Sequence, residues 1–287
     1  MDIKRALPIV ALAVVSYLMV LQWNEDYGQI VQPPVETTTT LGGSSVPSVP
    51  VAATSAEGQA SDVPTASLGA QERPVADSAV SSTDLILVET DVLKLAIDPR
   101  GGDVVQLKLP KYPLNQANPD IPFQLFNNNP QQLYIAQSGL TGADGPDARA
   151  TGRPLYASEK REYRLADNDD QLVVDLKFND AGINYIKRFT FKRGQYDLDV
   201  NFLVDNQSDK PWTGNLFAQL KRDNSADPSS TTATGTATYL GAAIWTPEKP
   251  YKTISMSAMD DQVPSEKIDG GWVAWLQHYF VTSWISP

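Results

Sequence analysis

The stretch GINYIKRFTFKRGQYDLDVNFLVD, residues 182–205, reads as a β-hairpin. Tyr185, Lys187, Phe189 and Phe191 share one face of its first strand. Lys192, Arg193, Gly194 and Gln195 turn the chain. Tyr196, Leu198, Val200, Phe202 and Val204 then share one face of the second strand, while Asp197, Asp199, Asn201 and Asp205 take the other. A period of two with this contrast places one face on a core and one in water. A lone hairpin is not stable in water, so neighbours are required. Residues 172–178 supply an adjacent strand, and residues 217–220, 237–245 and 252–256 supply others.

Upstream, residues 85–88 and 92–97 are strand-like, and residues 104–109 follow the turn Asp98-Pro99-Arg100-Gly101-Gly102. The glycines provide the positive φ angles such a turn requires. Residues 110–130 are rich in Pro and Asn and are expected to wrap the surface, pinned by Phe123, Leu125 and Phe126. Residues 133–136 form a further strand and residues 139–153 a loop. Many short strands separated by turns predict an all-β sandwich over residues 83–287. Near the end, Trp272, Trp275, Leu276, Tyr279 and Phe280 recur at helical spacing, which predicts a helix before a last strand at residues 281–285. A β-domain that stops on a lone strand at Pro287 reads as C-terminally incomplete.

The N-terminal third has two other textures. Residues 6–23, ALPIVALAVVSYLMVLQW, carry no charge, and 18 residues in a helix rise about 27 Å, close to a bilayer core. Lys4 and Arg5 precede this run, and Glu25 and Asp26 follow it, which predicts residues 1–5 in the cytoplasm and the bulk of the chain on the outer face. A cleaved signal peptide would have a shorter apolar core and a small-x-small site, where this chain has Gln22 and Trp23. A lipoprotein signal needs a Cys, and a buried core helix does not fit the basic flank. Residues 24–82 are rich in Pro, Ser, Thr, Ala and Gly without periodicity, so they read as a disordered tether.

With 23 Lys and Arg against 34 Asp and Glu, the net charge is −11, which disfavours nucleic acid as a partner. No Cys is present, so disulfides, thiolate catalysis and Cys-based zinc sites are excluded. The one His, His278, lies in the aromatic stripe and reads as structural. Asp197 and Asp199 could meet a cation from one strand face, but a solvated face explains them without one. Asp223 to Asp227 has a faint calcium-loop rhythm, yet Pro228 and Thr234 stand where Gly and Glu are required, so it reads as an Asx turn. Gly101-Gly102 opens a strand rather than a helix, which gives no phosphate cradle. Trp212, Trp245, Trp272 and Trp275 could stack on a sugar ring, but most are expected in the core. No catalytic, cofactor-binding or metal-binding residue is assigned, and the chain does not read as an enzyme.

Taken in order, MDIKRALPIVALAVVSYLMVLQWNEDY, the tether, TDVLKLAIDPRGGDVVQLKLPKY, NYIKRFTFKRGQYDLDVNFLVDNQ and GGWVAWLQHYFVTSWISP resemble the YidC/Oxa/Alb family of membrane protein insertases. The resemblance spans the chain apart from the tether. It implies a β-supersandwich periplasmic domain, similar to galactose-mutarotase-like proteins, behind one transmembrane helix in the bacterial inner membrane. It also implies work as an insertase and chaperone, alone or with the Sec translocon (SecYEG, SecDF), on nascent inner-membrane proteins. The family's insertase core of C-terminal membrane helices has no counterpart here, so this portion is expected to anchor and scaffold. The competing class is a membrane-anchored carbohydrate-binding or carbohydrate-modifying β-domain.

Overall fold

The computed structural model describes residues 17–19, 84–115, 117–226, 239–261 and 265–286. The chain divides into two units, Met1–Ser55 and Ala56–Pro287. Of the first, residues 17–19 are helical and exposed. The rest of the 6–23 span, Lys4 and Arg5, and the tether over 24–82 lie outside the described residues. Among the described residues no helix is long and apolar enough to cross a membrane.

The described residues of the second unit form fifteen strands: β1 Ile86–Glu89, β2 Lys94–Asp98, β3 Asp103–Asn115, β4 Asn118–Asn129, β5 Gln132–Thr141, β6 Ala157–Ser158, β7 Glu162–Arg164, β8 Gln171–Asp180, β9 Ile183–Lys192, β10 Leu198–Asn206, β11 Asn215–Arg222, β12 Gly241–Ile244, β13 Lys252–Ser255, β14 Gly271–Leu276 and β15 Val281–Ser286. A 3-10 turn, Pro146–Ala148, and a short helix α1, Met256–Asp261, complete it. A seven-stranded sheet runs β11-β5-β4-β3-β2-β1-β7, a four-stranded sheet runs β10-β9-β8-β6, and a second four-stranded sheet runs β13-β12-β14-β15. Every pairing is antiparallel except that of β1 with β7.

The 182–205 reading holds for both faces. Val174 and Leu176 of β8 stand opposite Phe189 and Lys187 of β9, which in turn face Val200 and Phe202 of β10. This inner face packs on β1, β2 and β3, with Ile97, Val174 and Leu176 fully buried. The β8–β9 turn is Ala181-Gly182, with φ of 48° and 79°. Two positive φ angles in a two-residue loop match the strand twist of a tight hairpin. The β9–β10 connection is longer than the sequence predicts: β10 begins at Leu198, and Tyr196 lies in the connection with its ring edge-on to Tyr112 at 5.8 Å.

Two expectations are corrected. Residues 110–130 do not simply wrap the surface but extend β3 and β4 into a long hairpin. Phe123 and Phe126 are buried and hold it, while the register slips on both sides of Pro113, where Pro has no N–H to donate. The aromatic segment is a strand, not a helix. In β14, Trp272 pairs with Ile285 on one face and Trp275 with Thr282 on the other. Both faces bear large apolar groups, so a strand reproduces the spacing that signals a helix, and its aromatic and β-branched content suits a sheet.

Candidate functional site

The least expected feature of the interior is a charged cluster in the seam between the seven-stranded sheet and the β10-β9-β8-β6 sheet. Lys187 occupies a position that alternation assigns to the core and is fully buried. Its Nζ donates to the carbonyls of Gly101 (3.0 Å) and Ser138 (2.8 Å), and so ties β9 to the β2–β3 turn and to β5. Arg153, in the connection after the 3-10 turn, sends Nη2 to the same two carbonyls at 3.3 and 3.0 Å. Its Nε donates to Asp147 Oδ1 at 2.9 Å, and its Nη1 to Asp103 Oδ2. Asp147 Oδ2 accepts the Leu140 amide (2.8 Å), and Asp103 Oδ2 also accepts Gln137 Nε2 (2.7 Å). Gln219 of β11 closes the network on Gln137 Oε1 at 2.6 Å.

The turn geometry makes this approach possible. Gly101 and Gly102 have φ of 74° and 67°, and a Cβ on Gly101 would stand 2.5 Å from Arg153 Nε. Burial pushes the Asp147 carboxyl above its usual range, although Arg153 pulls the other way. Burial also works against the Arg153 charge, but Asp103 and Asp147 outweigh it and hold its pKa above the ordinary value. The Lys187 amine is brought down to about 7, chiefly by burial; Asp103 opposes this, Arg153 adds to it and Asp147 opposes it. The sequence marks Lys187 as a charge at a core position of an alternating strand. Nothing comparable marks Asp103, Asp147 or Arg153, whose meeting depends on tertiary folding.

Above this seam lies an open groove of about 2110 Å³. Val200 and Phe202 of β10, Leu220 of β11, and Trp272, Val273 and Trp284 of the β13-β12-β14-β15 sheet are among its lining residues. Phe202 joins groove and seam, because its ring lies 5.4 Å from Lys187 Nζ. Trp284 is held by its Nε1 donating to the Gln219 carbonyl at 3.0 Å. The lining is dominated by apolar side chains, which suits binding of an apolar segment better than proton transfer.

Of the residues singled out from the sequence, Asp197, Asp199, Trp212, Trp245 and Trp272 line this groove, whereas His278, Asp223 and Trp275 do not. His278 lies half-buried in the β14–β15 turn, edge-on to Tyr279 at 4.0 Å, and does not line the groove. Asp197 and Asp199 are exposed, and Asp199 pairs with Lys192 at 3.2 Å. Asp223 makes the Asx turn, its Oδ1 accepting the Ser225 amide at 3.1 Å, while its Oδ2 accepts the Leu133 amide at 2.7 Å. Asp227, Pro228 and Thr234 lie outside the described residues. Trp275 is a core residue, and Trp212 donates from Nε1 to Tyr185 Oη at 3.1 Å. Trp245 and Trp272 are half-buried. Among the described residues no three acidic or His side chains gather as a metal site.

Comparison with known proteins places these features in context. A family model described as the YidC periplasmic domain matches residues 85–287. A protein of Azotobacter vinelandii named membrane protein insertase YidC is 63% identical over 287 residues, covering 99% of this chain and 50% of the relative. Proteins of the same name from Pseudomonas putida and Pseudomonas syringae pv. syringae are 61% and 60% identical, again over 99% of this chain and 50% and 51% of theirs. The chain thus spans about half the length of the curated relatives it matches.

Proposed function

The chain belongs to the YidC periplasmic domain family, and from that premise we propose that it is the N-terminal part of a membrane protein insertase and chaperone of the inner membrane. The observation that carries this reading is identity of 63% sustained over 99% of the chain, including the N-terminal apolar run. The order of parts is residues 1–5 in the cytoplasm, 6–23 across the membrane, 24–82 as tether and 83–287 as a periplasmic β-supersandwich. Three antiparallel-dominated sheets packed on one another support the sandwich. The role is to anchor and scaffold rather than to catalyse, and the partners are Sec translocon components and nascent inner-membrane proteins.

The surface suited to such partners is the free edge of β10. Among the described residues this strand pairs only with β9, so one side of its backbone over Leu198–Asn206 has no described strand beside it. Photocrosslinkers placed at Asp197 and Asp199 in the full-length protein in cells are expected to capture a translocon subunit or a nascent membrane protein. Capture of lipid alone, or of nothing, counts against the scaffold role.

The anchor has its own test. A retained span keeps Trp23 joined to Asn24, so N-terminal sequencing of the mature protein is expected to begin upstream of residue 6. A start downstream of Trp23 identifies a cleaved signal instead.

A further inference from the structure

We propose that Lys187 and Asp103 form a proton-driven latch across the sheet seam, in which the neutral amine holds Gly101 and Ser138 and the ammonium moves to Asp103 Oδ1. Three geometric observations carry this. First, the fully buried Lys187 has no carboxylate in ion-pair reach among the described residues; its partners are two neutral carbonyls. An amine has two N–H donors for those two acceptors, whereas an ammonium has three. The third has no oxygen to meet, only the rings of Phe189 and Phe202, 5.5 and 5.4 Å away, which offer an ammonium a cation–π contact but no hydrogen-bond acceptor of comparable strength. Second, both carbonyls already accept from the Arg153 guanidinium, so a second full positive charge there is opposed. Third, Asp103 Oδ1 is buried without a hydrogen-bond partner, while its Oδ2 is taken by Arg153 and Gln137.

The charged groups facing Lys187 are Asp103 from β3 and Asp147 and Arg153 from the β5–β6 connection. With the ammonium, two cations meet two carboxylates. With the amine, the cluster carries one net negative charge. Hydrogen-bond geometry therefore favours the amine and charge balance favours the ammonium, which poises the site between two arrangements. The latch takes one proton from solvent and changes no other bond order. Its movement reaches the groove, since Ser138 and Phe202 both line it.

The sign of the linkage follows from a folded pKa of about 7 against 10.5 unfolded. Between these values the unfolded chain binds the extra proton, so stability attributable to Lys187 rises with pH across that window and is flat below it. The test is ¹³C and ¹⁵N NMR titration of the full chain from pH 5 to 11 with the Lys187 side chain and the Gly101 and Ser138 carbonyls assigned. One lysine is expected to titrate near neutrality, with both carbonyl signals shifting in the same step. In Asp103→Asn the lysine step is expected to move down by about one pH unit or more, and the carbonyl shift to vanish. The latch is overturned if Lys187 titrates with the surface lysines, if it titrates without the carbonyl shift, or if that shift persists in Asp103→Asn. Lys187→Met should abolish the step; should that variant not fold, the wild-type titration decides the matter.

Discussion

Replacement of Arg153 by Ala is expected to lower the unfolding free energy by about 3–5 kcal/mol at neutral pH, the cost of removing one partner from a buried ion pair. The Asp147 side chain is wholly inaccessible and that of Asp103 is 7% exposed, so neither carboxylate can recover the lost cation as hydration. Set against a typical domain stability of about 5–15 kcal/mol, the loss is large enough to shift a urea midpoint clearly. The deficit should shrink with acidity. Burial already holds the Asp147 carboxyl above its usual range against the pull of Arg153, so without that cation it rises further, and the variant loses stability as pH rises towards the folded value and regains it as pH falls. Arg153→Lys keeps a charge but cannot span Asp103, Asp147 and two carbonyls, and should fall between the two. Urea unfolding at pH 7 and near pH 4.5 checks this. A loss below about 1 kcal/mol, or an equal loss at both pH values, would show that the cluster is not held by charge pairing.

How much of this was legible in the sequence depended on whether the signal was local. The β9–β10 hairpin was readable because Tyr185, Lys187, Phe189 and Phe191 alternate with Asn184, Arg188 and Thr190, Ile186 being the one apolar residue out of phase, and period-two alternation is a property of one strand. The β2–β3 turn was readable because Gly101 and Gly102 have few other reasons to stand together. The aromatic segment was misread because β14 presents bulk on both faces, and a strand covered on two sides loses its period. Residues 110–130 were misread because Pro110 and Pro113 argue against a strand, while Phe123 and Phe126 restore it through tertiary packing. The charged seam escaped because Asp103 lies on β3 while Asp147 and Arg153 lie in an irregular connection with no periodicity to read. Only Lys187, a cation among inward-facing aromatics, pointed towards it.

The turn and the seam are coupled strongly enough to measure. Gly101→Ala is expected to cost on the order of 3–4 kcal/mol, from two sources. An L-residue at φ of 74° in the left-handed region carries about 1–2 kcal/mol. The new Cβ, 2.5 Å from Arg153 Nε and Nη2, also forces the guanidinium away from Asp147 and from the Ser138 carbonyl, and buried partners left unsatisfied cost about 1–3 kcal/mol. The second source exists only while Arg153 is present. In an Arg153→Ala background, Gly101→Ala should therefore cost about 1–2 kcal/mol, the backbone contribution alone. The double variant should be less destabilised than the sum of the singles by about 1–3 kcal/mol. Urea unfolding of the four proteins in the cycle provides the numbers. Additivity within about 0.5 kcal/mol would mean that the glycine is required by its φ angle alone, and that the close approach of Arg153 to the turn contributes nothing to its selection.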